Sequence, residues 1–269
     1  MKKQVYKLVI VLLLLVFGIS AFFVGRYIVE SREQAEKFDA LAQLKESAKE
    51  TATTQPTIAT EETEPEGTFG AAQILDENNM LAEYGEIYAL NDDVVGWIRI
   101  DGTKLDYPVM QTPDEPNYYL YRDFDKKQSV RGCVYAREEC DINTPSDNIT
   151  LYGHNMRDGS MFAAANAYVN KETWENNPLI FFDTLYEYHT YKIFSVFKTS
   201  ANIGEGFTYH NMIEAENKED FDKFIAKCKE LAFYETGITP QYGDKIICLS
   251  TCEYTLENGR LVIAAVRIS

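Results

Sequence analysis

Apolar and polar positions along this 269-residue chain fall into three regimes. Residues 8–24 are an almost unbroken apolar run, preceded by Lys2, Lys3 and Lys7 and followed by Arg26. A run of that length stands at the lower edge of what a helix needs to cross a bilayer. A cleaved secretory signal is the competing reading, but Phe22, Phe23 and Val24 continue the run where a small-residue exit is required. An uncleaved anchor over 8–26 is therefore expected. Residues 1–7 then form a cytoplasmic tail, because basic residues collect on the cytoplasmic side, and everything beyond faces outward. Residues 27–50 are charged, with Phe38, Leu41 and Leu44 as a thin apolar stripe, and 51–70 turn to Thr, Glu, Pro and Gly with little to bury. The stretch 27–70 reads as an extracellular stalk and linker.

Folding restarts at residue 71, and 71–269 reads as one domain. Leu81, Tyr84, Ile87 and Tyr88 recur at helical spacing. Residues 97–100 and 105–110 flank Asp101-Gly102 as a hairpin. Further strands are expected at 132–136, 148–152, 179–182, 191–198, 245–251 and 261–268. Phe221, Phe224, Ile225, Cys228 and Leu231 mark one face of a long helix between the last strands, and Asn217 with Asp220 three residues on signals its start. Eight short strands and few helices predict a mainly β domain, either a closed barrel or a sandwich.

Charge and cysteine count narrow the function. A formal net charge of -16 argues against a nucleic-acid partner. Five cysteines leave at least one unpaired thiol. Cys228 lies on the helical stripe and Cys248 inside an apolar strand, both positions for packing. Cys133 and Cys140 leave a disulfide open. No Cys/His spacing suggests zinc, and the acidic residues around Asp123 and Asp125 match no calcium loop.

Cys252 ends an apolar strand, His154 directly follows one, and Arg260 begins the last. A thiol, an imidazole and a guanidinium are the parts of acyl transfer through a thioester. A free thiol titrates near ~8.5, so a neighbour that favours the thiolate is needed, and His154 can serve. Of the other two histidines, His189 and His210 lie among tyrosines. From spacing alone His154 is equally a satisfied structural histidine, and Arg260 equally a surface partner of Glu253 or Glu257.

Leu249-Ser250-Thr251-Cys252, Arg260 eight residues later, and Gly153-His154-Asn155-Met156-Arg157-Asp158-Gly159-Ser160-Met161-Phe162 together resemble the signature of the sortases. The likeness covers roughly 71–269 and is closest to class B, whose long helix between the sixth and seventh strands matches the helix expected here. One position departs: Cys248 stands where members usually have Thr. The resemblance implies the closed eight-stranded barrel, with Cys252 as nucleophile, His154 as proton donor and Arg260 as oxyanion support. It places Ser250, Glu253, Leu120, Asn117, Phe207 and Tyr209 at the substrate groove. It further implies surface proteins bearing a C-terminal sorting signal as donors, a peptidoglycan or lipid-linked amine as acceptor, and no metal or organic cofactor. A cysteine peptidase or wall hydrolase using water, a pilin-polymerising sortase, and a non-catalytic scaffold remain open on the residues themselves.

Overall fold

A computed structural model describes residues 2–54, 75, 79–202 and 204–269. The linker expected over 51–70 lies beyond Thr54 outside the described residues, as does the domain start expected at 71. The chain divides into two compact units, Met1–Ala40 and Leu41–Ser269. Helix α1 (Lys2–Thr54) carries the apolar run, whose side chains from Leu8 to Val24 are exposed, and it is long and apolar enough to span a membrane.

Among the described residues, the second unit is built on eight strands: β1 (Val94–Arg99), β2 (Asp106–Met110), β3 (Val134–Ala136), β4 (Asn148–Tyr152), β5 (Leu179–Thr184), β6 (Thr190–Ser200), β7 (Ile246–Glu253) and β8 (Gly259–Arg267). They close in the order β1-β2-β3-β4-β7-β8-β6-β5, which removes the sandwich alternative. The hairpin expected around Asp101-Gly102 is the β1–β2 pair, with Gly102 at φ +74°. The β2–β3 and β4–β7 pairings are parallel, and the rest are antiparallel. The parallel β4–β7 pairing brings the segment after β4 alongside the end of β7, and that adjacency builds the site.

Helices α2 (Gly85–Leu90), α3 (Lys171–Asn176) and α4 (Lys218–Glu230) complete the unit. The expected start of α4 is a side-chain cap, with Asn217 Oδ1 accepting the Asp220 amide at 3.1 Å. Phe221, Phe224, Ile225 and Cys228 bury the inner face of α4 against Phe197, Cys248, Val262 and Ala264 of β6, β7 and β8. Cys133 and Cys140 are free and buried rather than bridged.

The folded unit begins thirty residues before the boundary expected from composition, because the end of α1 is part of it. Leu41 and Lys45 are buried, and Lys45 Nζ lies 4.7 Å from the ring centroid of Trp97 and 5.9 Å from that of Tyr84. A lysine that buries its stem and sets its ammonium over two aromatic faces reads as solvated in a sequence, since nothing local marks the receiving rings. A chain starting at Leu41 is accordingly expected to melt above one starting at Ala71. Burial of Leu41 and of the Lys45 stem, less the cost of enclosing an ammonium whose pKa burial lowers, stabilises the unit by about 2 kcal/mol, and for a domain of this size that is on the order of 5 °C. Equal melting temperatures would remove residues 41–54 from the folded unit.

Candidate active site

One cavity of about 550 Å³ gathers most of the residues singled out from the sequence. Cys252, His154, Arg260, Ser250, Leu120, Asn117, Phe207 and Tyr209 all line it. Its walls come from the ends of β4, β7 and β8, the turn at Tyr118–Tyr121, and the loop between β6 and α4.

Cys252 and Arg260 are directly opposed in the β7–β8 register. Cys252 is half-buried, whereas Cys133, Cys140, Cys228 and Cys248 are buried. Burial pushes the Cys140 thiol up to about 11 and raises those of Cys133, Cys228 and Cys248 well above the ordinary thiol value. None of those four is therefore a nucleophile at neutral pH. Arg260 Nη1 donates to the carbonyls of Gly259 at 3.0 Å and Asn258 at 3.3 Å. Among the described residues it makes no ion pair with a carboxylate, so the surface-pair reading is not what the fold builds.

His154 comes to Cys252 through the parallel β4–β7 pairing, whose last pair is Tyr152 with Ser250. Three bonds continue the alignment past the ladder. The Gly153 amide donates to Ser250 O at 3.2 Å, Thr251 Oγ1 donates to Gly153 O at 2.6 Å, and Asn155 Nδ2 donates to Cys252 O at 2.8 Å. Gly153 itself passes the Phe162 ring so closely that a Cβ would stand 2.6 Å from it, a contact only glycine permits. On the far side, His154 Nε2 lies 2.7 Å from Leu120 O. A carbonyl only accepts, so Nε2 carries the hydrogen, and Nδ1 is the nitrogen left to exchange a proton. Leu120 thus acts through its backbone as well as by lining the cavity.

The opposite wall is pinned just as firmly. Buried Asn148 donates to the carbonyls of Tyr209 at 3.0 Å and Met212 at 2.8 Å, and Tyr209 OH meets Ser250 Oγ at 2.5 Å. The Phe207 amide donates to Thr199 Oγ1 at 2.7 Å, and its ring stacks among Phe197, Tyr209 and Phe224. Asn117 adopts φ 58°, and its Oδ1 accepts from Tyr135 OH at 2.8 Å. Ser250 and Tyr209 therefore reach the cavity as a bonded pair.

Glu253 is the candidate that the cavity leaves out. Successive strand residues face opposite sides, so the residue after Cys252 turns its carboxylate away, where Lys198 Nζ holds it at 2.8 Å. Three contributors were not legible as such. His210 lines the cavity, and burial together with Arg137 and Arg260 holds its pKa below the ordinary imidazole value. Asn155 stands in the quoted motif but reads only as a loop residue, and Tyr135 carries no local signal. His189 is buried away from the cavity beside Glu187, its pKa lowered by burial and by Arg267.

The sortase domain family matches residues 98–268. Sortase B of Listeria monocytogenes is 31% identical over 183 residues, covering 67% of this chain and 72% of that protein. Sortase B of Staphylococcus aureus is 28% identical over 193 residues, covering 70% and 76%. Among solved structures, a Staphylococcus aureus sortase B–substrate complex superposes with a TM-score of 0.73 at 23% identity, over 90% of this chain and 99% of that one. Clostridium perfringens sortase B gives 0.62 at 29% identity, over 68% and 98%.

Proposed function

This chain belongs to the sortase family, on its class B branch, and from that premise we propose how its residues carry the cell-wall transpeptidation that sortases perform. Cys252 Sγ, as thiolate, attacks the carbonyl after Thr in the C-terminal sorting signal of a surface protein. The oxygen that gains charge is held by Arg260. Collapse of the tetrahedral intermediate breaks the C–N bond, the departing amine takes a proton from His154, and the acyl group stays on sulfur as a thioester. An amine of peptidoglycan or of its lipid-linked precursor then attacks the thioester, loses a proton to His154, and leaves as the new amide while the thiolate is regenerated. Leu120, Asn117, Phe207, Tyr209 and Ser250 contact the sorting peptide. Helix α1 holds the protein in the membrane with its lysine-flanked end in the cytoplasm and the barrel outside.

The observation that carries this reading is the convergence of Cys252 and Arg260, paired across β7 and β8, with His154 on the segment bonded to the end of β7. Product analysis tests it. The full chain in detergent micelles is incubated with a set of pentapeptides containing Pro and Thr, with and without triglycine, the ligand of one solved sortase B. The expected result is an acyl adduct on Cys252 by mass spectrometry and an amide product that appears only with triglycine. Hydrolysis that triglycine does not divert identifies a peptidase instead, and an adduct on another cysteine overturns the assignment.

A further inference from the structure

Behind the Cys252–Arg260 pair, on the other face of the sheet, a second pair of charges closes the β7–β8 turn. Glu253 is paired in register with Gly259, and Lys198 of β6 with Leu261. Alternation along the strands puts both side chains opposite Cys252 and Arg260, bridging β7 to β6 across β8. Gly259 leaves room for the bridge: a Cβ there would stand 2.5 Å from Glu253 O and 3.1 Å from Glu253 Oε2. The carboxylate is almost wholly enclosed, at 8% side-chain exposure, and it bonds both the turn and β6. Oε1 accepts from Lys198 Nζ at 2.8 Å. Oε2 accepts from the Thr255 amide at 2.9 Å, the Thr255 hydroxyl at 2.7 Å and the Leu256 amide at 3.2 Å. Lys198 Nζ also donates to Thr255 Oγ1 at 3.0 Å. Burial raises the Glu253 carboxyl, but the bonds from Lys198 and Thr255 outweigh it and hold the group below the ordinary glutamate value. The far end of the same turn supplies the carbonyls of Asn258 and Gly259 that fix the Arg260 guanidinium.

We propose that Lys198 and Glu253 are positioning residues for the transpeptidation: their ion pair sets the β7–β8 turn that holds the Arg260 guanidinium in the cavity with Cys252. The proposal rests on the catalytic reading above.

The test uses the full chain in detergent micelles, with Glu253→Gln, Lys198→Met, their double variant and Lys198→Arg. Either single change is expected to lower kcat about tenfold with KM held within about twofold, the split expected when only transition-state support is lost. Lys198→Arg is expected to retain most of the rate. Because the two residues act through one clasp, the double variant is expected to match Glu253→Gln alone rather than to multiply the losses. Should Glu253→Gln fail to fold, Lys198→Met decides, since it keeps the three bonds from Glu253 to the turn. Wild-type kcat in Lys198→Met, or multiplying losses in the double variant, overturns the clasp. Adduct formation by the wild type is read separately: its absence from Cys252 refutes the catalytic reading, whereas its presence with full kcat in Lys198→Met refutes only the clasp.

Discussion

Replacing Cys252 by alanine is expected to lower turnover at least ~10⁴-fold, the scale on which an enzyme loses rate with its nucleophile, while the melting temperature stays within a degree or two of the wild type. The thiol is half-exposed, and the strand around it is fixed by the β7–β8 ladder and by the Asn155 bond to the Cys252 carbonyl, neither of which uses sulfur. Alanine therefore removes the reacting atom and little else. Cys228→Ala and Cys248→Ala reverse the pattern. Both residues are fully buried in the cluster between α4 and the sheet, so each change opens a small void costing about 1–2 kcal/mol with turnover retained. Peptide turnover and thermal melting on the three variants make the comparison. A Cys252→Ala protein that still forms the amide product would end the thioester mechanism.

Arg260→Lys is expected to cost turnover on the order of a hundredfold or more, with little loss of stability. Lysine keeps the charge but has no planar fork, so it cannot bond the Gly259 and Asn258 carbonyls while pointing a second nitrogen at an oxyanion. The observed geometry sharpens the contrast. Nη1 is already engaged by those carbonyls, and Glu253, one of the two carboxylates a surface pair would use, is held by Lys198. Turnover, melting temperature and peptide affinity on this single variant discriminate between the roles. Wild-type turnover in a stable Arg260→Lys protein would remove Arg260 from the chemistry.

Much of the fold was legible because its signals are local. Strand β4 occupies the residues its apolar alternation predicts, and α4 starts at the Asn217 cap read from sequence. Helix α4 buries one face against the barrel, and its periodicity reports that directly. The extent of the folded unit was not legible. Lys45 and Lys49 look like a solvated stalk until Trp97, Tyr84 and Tyr188 supply aromatic faces for their ammonium groups. Closure into a barrel was equally beyond local pattern, since alternation reads the same in a sandwich.

The sequence by itself determined the candidate groups: a thiol at a strand end, an imidazole after a strand and an arginine opening the last strand, in motifs specific enough to indicate the sortase family. Tertiary structure decided how they meet. Parallel pairing of β4 with β7 sets the segment carrying His154 beside the end carrying Cys252, although nearly a hundred residues separate them in the chain. It also decided which way each side chain faces. Glu253 follows Cys252 yet bonds the turn behind it, and His210, with no local mark, comes to line the cavity. Chemistry resides in the residue type and is read one position at a time. Proximity and facing depend on strand order and register, which are settled only when distant segments pay their loop-closure entropy and pair.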